Sequence, residues 1–419
     1  MNKVWAGVKK LIQKLKTREG FIQVSVFIFI LGAYNIKHLA SSLYMILFFI
    51  SLYTLAKPIK NFEFTKVEKY VFAFIMIYFL WFIITSLIPG WGYDQTKRLE
   101  VELRFIFAIP IYILLRQVKS SLIYLWYGAF AALWLGFLIS VYQVYVLHTA
   151  AEGGYGKLLI GPMSVLYVFI FLSRKDWAVN TRLKIISVAT VVAGVIPVVL
   201  SGARTAYIML VALFLVWVAI NYSWRKKLIL FAGLFFIIIG VYVSSNAVKN
   251  GVDRAVNGIV HYSERAEAVD VNLGSTETRL EMIKAAYIIT LDNPIFGIGD
   301  GNFKKTSIKY IKAGSYHPYI GEFEHFHNIF ADNSAKRGIP GLLLILIMFF
   351  VPLWYFRKHQ KVFYLPATIG FYYIAGEILA GLTIVAPTNR GNFIAISMIV
   401  LSICLSEIIR YSHKKEISY

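Results

Sequence analysis

The sequence predicts an all-α polytopic membrane protein with about twelve transmembrane helices and one large, partly helical loop outside the membrane. Of the 419 residues, 58% are hydrophobic and 16% are charged, whereas soluble domains are about half apolar and about a quarter charged. Mean hydropathy is +0.65, and several apolar runs approach or exceed the roughly 20 residues that cross a bilayer as a helix. Basic residues recur in alternate connections between these runs, as expected of cytoplasmic loops.

The first twenty residues, MNKVWAGVKKLIQKLKTREG, are basic and weakly amphipathic. No small-residue cleavage site follows an apolar core, so we expect a retained cytoplasmic segment and no cleaved signal peptide. The formal net charge is +21, which in a membrane protein is typical of cytoplasmic loops rich in Lys and Arg. No nucleic-acid partner is therefore predicted. The single cysteine, Cys404, lies in an apolar run, which excludes an intramolecular disulfide and CxxC metal chemistry.

Apolar length predicts about twelve spans. They cover residues 20–36, 39–56, 67–88, 101–115, 121–147, 158–173, 185–200, 206–221, 227–245, 339–356, 363–385 and 392–410. With a cytoplasmic N-terminus, connections that carry Lys and Arg alternate with connections that are poor in them, and the C-terminus is also cytoplasmic. The threading predicts a transmembrane bundle at 1–245 (about nine spans), a loop subdomain at 246–338, and about three further spans with a cytoplasmic tail at 339–419.

The 246–338 segment is the only predicted extramembrane piece large enough for a subdomain. Its stretch TETRLEMIKAAYIITL places Leu280, Ile283, Ala286 and Tyr287 at helical spacing, with Ser275 or Thr276 as the predicted cap. The glycines of NPIFGIGDGNF resemble a nucleotide fingerprint but lack its final spacing and preceding strand. We therefore interpret this stretch as a tight turn that packs the subdomain.

Two arginines fall on the predicted outer face, where the Lys/Arg bias does not explain them. Arg204 lies in SGARTAY between two apolar spans, and its small neighbours Ser201 and Thr205 leave room for a ligand. An arginine at a membrane boundary either snorkels to the interface or has a function. Arg279 lies early in the predicted loop helix, where the alternative is a solvated helix face. If both converge, their planar guanidinium groups suit a pyrophosphate.

The stretch EHFHNIFADNSAKRGIPG holds His325 and His327 where the long loop re-enters the membrane. A zinc site would need further ligands, for which His317, Glu322 or Glu324 are candidates, but no HExxH framework is present. A general base is the stronger interpretation, because the pKa of imidazole lies near working pH; a hydrogen-bonded loop histidine is the alternative. If Asn328 to Arg337 is helical, we expect the helix to aim the His327 imidazole.

An acidic residue, Glu377, falls inside the eleventh predicted span, and Arg390 follows that span in APTNRGN. An unpaired carboxylate within a membrane is costly. We therefore expect Glu377 to pair with an arginine or to line the cavity. A proton site is the alternative, and it would make the protein a transporter.

These motifs resemble the O-antigen ligase family. HNIFADNSAKRGIPG fits its histidine pattern position by position: His327 and Asn328 open it, nine spacers follow, and Gly338 and Gly341 close it. SGARTAY and the stretch TRLEMIKAAYIITLDNPIFGIGDGNF look like the two arginine blocks of that family, and the long periplasmic loop between late spans also matches. The resemblance covers 201–341 by motif and the whole chain by topology.

The resemblance implies a GT-C-like membrane glycosyltransferase of lipopolysaccharide biosynthesis in the bacterial inner membrane, with its active site facing the periplasm. It implies a glycan donor on undecaprenyl pyrophosphate and a lipid A-core acceptor, with no metal and no other cofactor. Arg204 and Arg279 would neutralise the pyrophosphate, and His327 would act on the acceptor hydroxyl. The other substrate-binding candidates are His325, Asn328, Glu377, Arg390, Ser201 and Thr205. A repeat-unit polymerase that uses the same donor, and a lipid-linked glycan transporter, are the alternatives.

Overall fold

The computed structural model describes residues 16–56, 63–88, 90–119, 121–177, 179–244, 246–262, 264, 273–385, 388 and 390–416. Within these ranges the chain forms fifteen α-helices and two short 3-10 helices, Lys175–Trp177 and Pro318–Glu322, and no strand. The predicted all-α class is confirmed for this part of the chain. Most of the predicted N-terminal cytoplasmic segment, the end of the tail and part of APTNRGN lie outside the described residues.

The α-helices are numbered in chain order. They are α1 Arg18–Gly32, α2 Leu39–Leu55, α3 Lys66–Leu87, α4 Tyr93–Gln117, α5 Ser121–Tyr145, α6 Lys157–Leu172, α7 Thr181–Ser201, α8 Arg204–Asn221, α9 Trp224–Ser244, α10 Asn246–Val260, α11 Ser275–Asp292, α12 Phe303–Lys312, α13 Ile329–His359, α14 Tyr364–Gly381 and α15 Gly391–Glu416.

A helix lies over each predicted span. In the part of the chain that the structure describes, six helices are long and apolar enough to cross a membrane, namely α3, α5, α7, α8, α13 and α15, and shorter apolar helices lie in α2 and α6. The chain is therefore a multi-pass membrane protein, while the count of about twelve spans stays a prediction. Some predicted boundaries were wrong by several residues: the span predicted to reach residue 36 ends as a helix at Gly32, and the one predicted to reach residue 385 ends at Gly381, where Leu382 caps it.

The main apolar core lies among the membrane helices. α4 packs along α15 and α1 packs along α5, and α6 contributes a nearly continuous buried run from Val165 to Phe171. Such an all-round apolar helix is expected at the centre of a bundle. Trp126 of α5 is fully buried there and donates its indole N–H to the Phe171 carbonyl at 3.0 Å.

The loop subdomain has a second apolar core, formed by α11, α12, the 3-10 helix at Pro318–Glu322 and the first turns of α13. The face that α11 buries differs from the expected one: Met282, Ala285, Ala286 and Ile289 are buried, whereas Ile283 and Tyr287 are exposed. Apolar residues occur on both sides of this helix, so spacing alone did not identify the packed face. The cap is Gly274 and not Ser275 or Thr276.

Candidate active site

The loop re-enters the membrane bundle at a backbone junction built by glycines. α13 is kinked at Gly338, which has φ 69°, and a Cβ at this position would lie 2.2 Å from the Ile295 carbonyl oxygen. Across the junction the Ile298 N–H donates to the Ala335 carbonyl at 3.0 Å and the Gly299 N–H to the Lys336 carbonyl at 2.8 Å. The glycine-rich stretch at 293–303 is thus a turn that packs against α13, as the sequence predicted.

His327 lies immediately before α13 and not on its face, which corrects the expectation that the helix would aim the ring. Asn328 is the N-cap: its Oδ1 accepts the N–H groups of Phe330 and Ala331 at 2.9 and 3.0 Å. His327 itself has φ 51°, in the left-handed region, which non-glycine residues rarely adopt and which is found at functional sites. The cap and this backbone conformation, rather than a helical face, set the direction of the imidazole.

Asp332, on the first turns of α13, fixes the position of the histidine segment, residues 325–327. One carboxylate oxygen of Asp332 accepts the Phe326 N–H at 3.2 Å, and the carboxylate forms an ion pair with Lys336 at 2.8 Å. The rings of His325 and His327 lie 4.4 Å apart between centroids. The side chains of Asp332 and Lys336 are buried, so the His325–His327 segment rests on a buried charged pair.

Arg204 begins α8 directly after a tight connection from α7. Gly202 caps α7 with φ 64°, and Ser201 accepts the Ala203 N–H at 3.3 Å. The Thr205 hydroxyl bonds to the Thr383 hydroxyl at 2.6 Å, which ties α8 to the connection after α14. Ser201 and Thr205 are both buried, and their hydrogen bonds hold the connection at which Arg204 begins α8.

Arg204, Arg279 and His327 come from distant parts of the chain and converge. Burial lowers the pKa of Arg279, and the nearby positive charge of Arg204 lowers it further. Burial also lowers the pKa of His327, with Arg279 as the next cause and Asp332 as an opposing one. Charges influence one another in this way only at short range. Geometry agrees with this: α11 packs on α13, and Thr205 and Asn328 both bond to the connection after α14, at Thr383 and at the Leu382 carbonyl. The segments that carry the two arginines and the histidine therefore meet, as the pyrophosphate hypothesis requires.

His325 is also uncharged at neutral pH. Burial is the main cause that lowers its pKa to about 4; Asp332 opposes this shift, while the positive charges of Lys336 and Arg390 add to it. A neutral His325 does not repel a proton that arrives at His327. Arg390 itself is exposed and lies near the histidine pair.

A cavity of about 690 Å³ opens beside the histidines, between α4, the connection before α6 and the loop subdomain. Its lining includes His325, His327 and Tyr155, and also the basic residues Lys97, Arg98, Lys304, Lys336 and Arg390. Among the described residues, Arg204 and Arg279 do not line it. His327 therefore borders the cavity, while the positive charge of Arg279, which does not line the cavity, lowers the pKa of His327.

A buried charge network next to the cavity was missed by sequence reasoning. Arg337 donates to Glu102 at 2.6 Å, to Asp300 at 3.0 Å and to the Tyr78 hydroxyl at 2.8 Å, and Arg98 pairs with Glu102 at 2.8 Å. Although burial raises the pKa of Asp300, the charges of Arg337 and Arg98 outweigh it and hold this pKa at about 2. Glu102 falls inside a predicted span, and an ionisable residue there was the available signal.

Glu377 has a different partner from the one expected. It is buried on α14 and accepts a hydrogen bond from the Ser397 hydroxyl of α15. Among the described residues it neither pairs with an arginine nor lines the cavity. The physical reason is the register of α14, which turns Glu377 toward α15. Asn328 donates to the Leu382 carbonyl at 3.1 Å, so it links the histidine segment to the connection that leads to Arg390.

Among the described residues, no group of three or more His, Cys, Asp or Glu could hold a metal ion. The zinc hypothesis therefore gains no set of ligands from them. His317, one of the nominated ligands, is buried, and its Nδ1 accepts the Tyr319 N–H at 3.1 Å.

Comparison with known proteins bears on this site. Residues 189–346 match the family model described as O-antigen ligase, a range that contains Arg204, Arg279 and His327. An uncharacterized protein of Haemophilus influenzae is 22% identical over 323 residues, which cover 72% of this chain and 75% of that protein. The family match confirms the resemblance predicted from the motifs.

Proposed function

Because residues 189–346 match the O-antigen ligase family model, we propose that this multi-pass membrane protein joins a lipid-linked glycan to a lipid acceptor. The donor is a glycan, the O-antigen, carried on undecaprenyl pyrophosphate, and the acceptor is a sugar hydroxyl of lipid A-core oligosaccharide. The reaction takes place at the periplasmic face of a bacterial inner membrane, needs no metal, and inverts the anomeric centre. Both termini are cytoplasmic, which puts the loop subdomain at 246–338 on the side of the substrates.

The observation that carries this proposal is the convergence of two arginines on one histidine. Arg204 and Arg279 form a local concentration of positive charge that suits a pyrophosphate, which arginine binds through its planar fork. Burial and the positive charge of Arg279 lower the pKa of His327 below its usual value. A neutral imidazole next to a bound leaving group is the arrangement that transfer to a hydroxyl requires.

In the proposed step the acceptor hydroxyl oxygen attacks the anomeric carbon as the bond from that carbon to the pyrophosphate oxygen breaks. The bonding electrons leave with undecaprenyl pyrophosphate, and Arg204 and Arg279 stabilise the developing charge. One fixed hydrogen-bond donor of this kind contributes about 2.7–4 kcal/mol in other enzymes. His327 accepts the hydroxyl proton. Since pyrophosphate is a good leaving group, no metal has to activate it.

The cavity beside His327 supplies the acceptor side. Its mixed polar lining and its size of about 690 Å³ suit a few sugar units, and Arg390 is placed to contact a phosphate on the core. His325 and Asn328 hold the position of His327. The transmembrane helices of the N-terminal bundle at 1–245 and of 339–419 would flank the lipid chains of the two substrates.

The test is incubation of purified protein with lipid-linked glycan and lipid A-core. A ladder of glycan-bearing lipid A-core is the expected product. Longer lipid-linked glycan chains without ligation would identify a repeat-unit polymerase, and vesicle translocation without a covalent product would identify a transporter. Either of these results would overturn the ligase proposal.

Replacing Arg204 with lysine tests the recognition of pyrophosphate. Lysine keeps the positive charge but cannot form the bidentate fork. Loss of one charge-assisted hydrogen bond, about 1.5–3 kcal/mol, predicts roughly a tenfold or greater fall in transfer rate. Initial rates at saturating acceptor measure it, with Arg225→Lys on the cytoplasmic side as control. An Arg204→Lys rate equal to that of the wild type would show that only the charge is used.

The pH dependence follows from the state of His327. The active imidazole is the neutral form, and burial and Arg279 lower the pKa of His327 below its usual 6.5. We therefore expect the rate to stay level from about pH 8 downward and to fall only below pH 6.5 as the ring becomes protonated. In Arg279→Gln one cause of the lowering is lost, so the residual activity should fall at a higher pH. An acid limb that does not move in this variant would contradict the role of Arg279.

A chelator should leave the activity unchanged. Incubation with EDTA removes loosely and moderately bound divalent ions, and the proposed step uses none. Rates of chelated and untreated enzyme measure this. A loss of activity that added zinc restores would revive the metal hypothesis for His325 and His327.

A further inference from the structure

Helix α10 directly follows the predicted span α9: α9 ends at Ser244 and α10 begins at Asn246. It has three distinct faces, and the residues of each face recur at helical spacing. One face consists of small residues and packs on α11. A second is polar and a third is apolar.

The packed face of α10 holds Gly258, which is buried. A Cβ at Gly258 would lie 2.9 Å from a carboxylate oxygen of Glu277, so α10 and α11 approach closely there. Four residues farther on, the Tyr262 hydroxyl donates to Glu281 of α11. These contacts fix the rotation of α10 about its own axis.

That rotation leaves an apolar stripe uncovered. Val252, Val256, Ile259 and Val260 recur at spacings of four, three and one, and their side chains are 44–64% exposed. The polar face carries Asn250, Arg254 and Asn257, which are all exposed as well. Lys249, also exposed, lies seven residues before Val256 and so stands at the end of the stripe nearest α9. The stripe thus lies between the face that packs on protein and the face suited to water.

We propose that the α10 stripe lies in the lipid head-group layer where α9 leaves the membrane. Two observations select lipid as the occupant. First, α10 starts at a span end, and the Tyr242 hydroxyl of α9 donates to Asp253 at 3.0 Å, which ties α10 to that end of the span. Second, Arg254 lies on the polar face and Lys249 at the end of the stripe nearest α9, where anionic head groups would neutralise both charges. Such helices insert their apolar face by about 5–10 Å.

The position of α10 also determines the position of Arg279, whose importance rests on the proposed function. Glu277, which meets Gly258 of α10, lies two residues before Arg279 on α11. A membrane-seated α10 therefore sets the height of Arg279 above the bilayer, at the level where a lipid pyrophosphate is exposed. α10 is in this sense a positioning element, and it contacts no substrate.

The test uses nitroxide labels on the full chain in vesicles of phosphatidylethanolamine and phosphatidylglycerol. Val256→Cys and Asn257→Cys are neighbours in sequence but lie on different faces, so each controls the other. Cys404 is fully buried, and Cys404→Ser removes it as a background site. We expect the label at 256 to be several-fold more accessible to oxygen than to a water-soluble nickel chelate, and the label at 257 to show the reverse.

Equal nickel access at both positions would overturn the proposal, because the stripe would then face water. Shielding of the 256 label from both reagents would also overturn it, since protein and not lipid would cover the stripe. These outcomes do not depend on glycan transfer. If the stripe faces lipid but the protein has no ligase activity, the proposed function is contradicted and the placement of α10 stands.

Discussion

Replacing His327 with alanine is expected to lower the rate of glycan transfer by about 10²–10⁴-fold, the usual contribution of a general base. Arg204→Ala is expected to abolish transfer as well, because the pyrophosphate then lacks one half of its positive site. Both variants should still fold and insert. For His327 the reason is that it precedes α13 and donates no cap to it. Initial rates with purified protein, lipid-linked glycan and lipid A-core provide the measurement.

The matched control is His359→Ala, at the far end of the same helix. Its ring contacts Tyr355, and its Nδ1 lies 2.8 Å from the Tyr355 carbonyl, far from the cavity beside His327. We expect wild-type rates from this variant. Wild-type rates from His327→Ala would remove the histidine from the mechanism and leave the arginine pair as a binding site only.

Replacing Arg337 with methionine is expected to destabilise the protein by about 3–5 kcal/mol, the usual cost of breaking a buried ion pair by removing one partner. Arg337 joins Glu102 of α4 to Asp300 of the glycine-rich turn, and all three side chains are nearly inaccessible. Its removal leaves two buried carboxylates short of a partner. Unfolding in detergent, followed by denaturant or heat, measures the loss.

Two variants separate this mechanism from a general loss of packing. Lys304→Met breaks an exposed pair with Glu324, and we expect a change of about 0.5 kcal/mol or less. Arg337→Met combined with Asp300→Asn removes one of the stranded charges and should recover part of the stability. If the double variant is no more stable than Arg337→Met, unpaired charge is not the cause.

The parts of the site that were predictable are those whose chemistry is local. The apolar runs predicted the helices, because the length of a span is readable from composition. The histidine motif and the two arginine blocks pointed to one family, and the match over residues 189–346 agrees with them. Arg204, Arg279 and His327 were nominated as single residues, and the structure brings them together.

The parts that were missed are set by packing between distant segments. Glu377 bonds to Ser397 and not to an arginine. This partner was not predicted, because the sequence of neither helix determines the register between α14 and α15. Arg337, Glu102 and Asp300 lie far apart in sequence and acquire their role only where α4, the glycine-rich turn and α13 meet.

The amino-acid sequence was sufficient for the all-α membrane class and for the family resemblance, since hydrophobic length and local motifs decide these. Tertiary structure was required for the direction of His327, the packed face of α11, the partner of Glu377 and the cavity beside the histidines. Each of these depends on a rotation or a register between elements. A small change in either moves a side chain to another face without altering the local pattern.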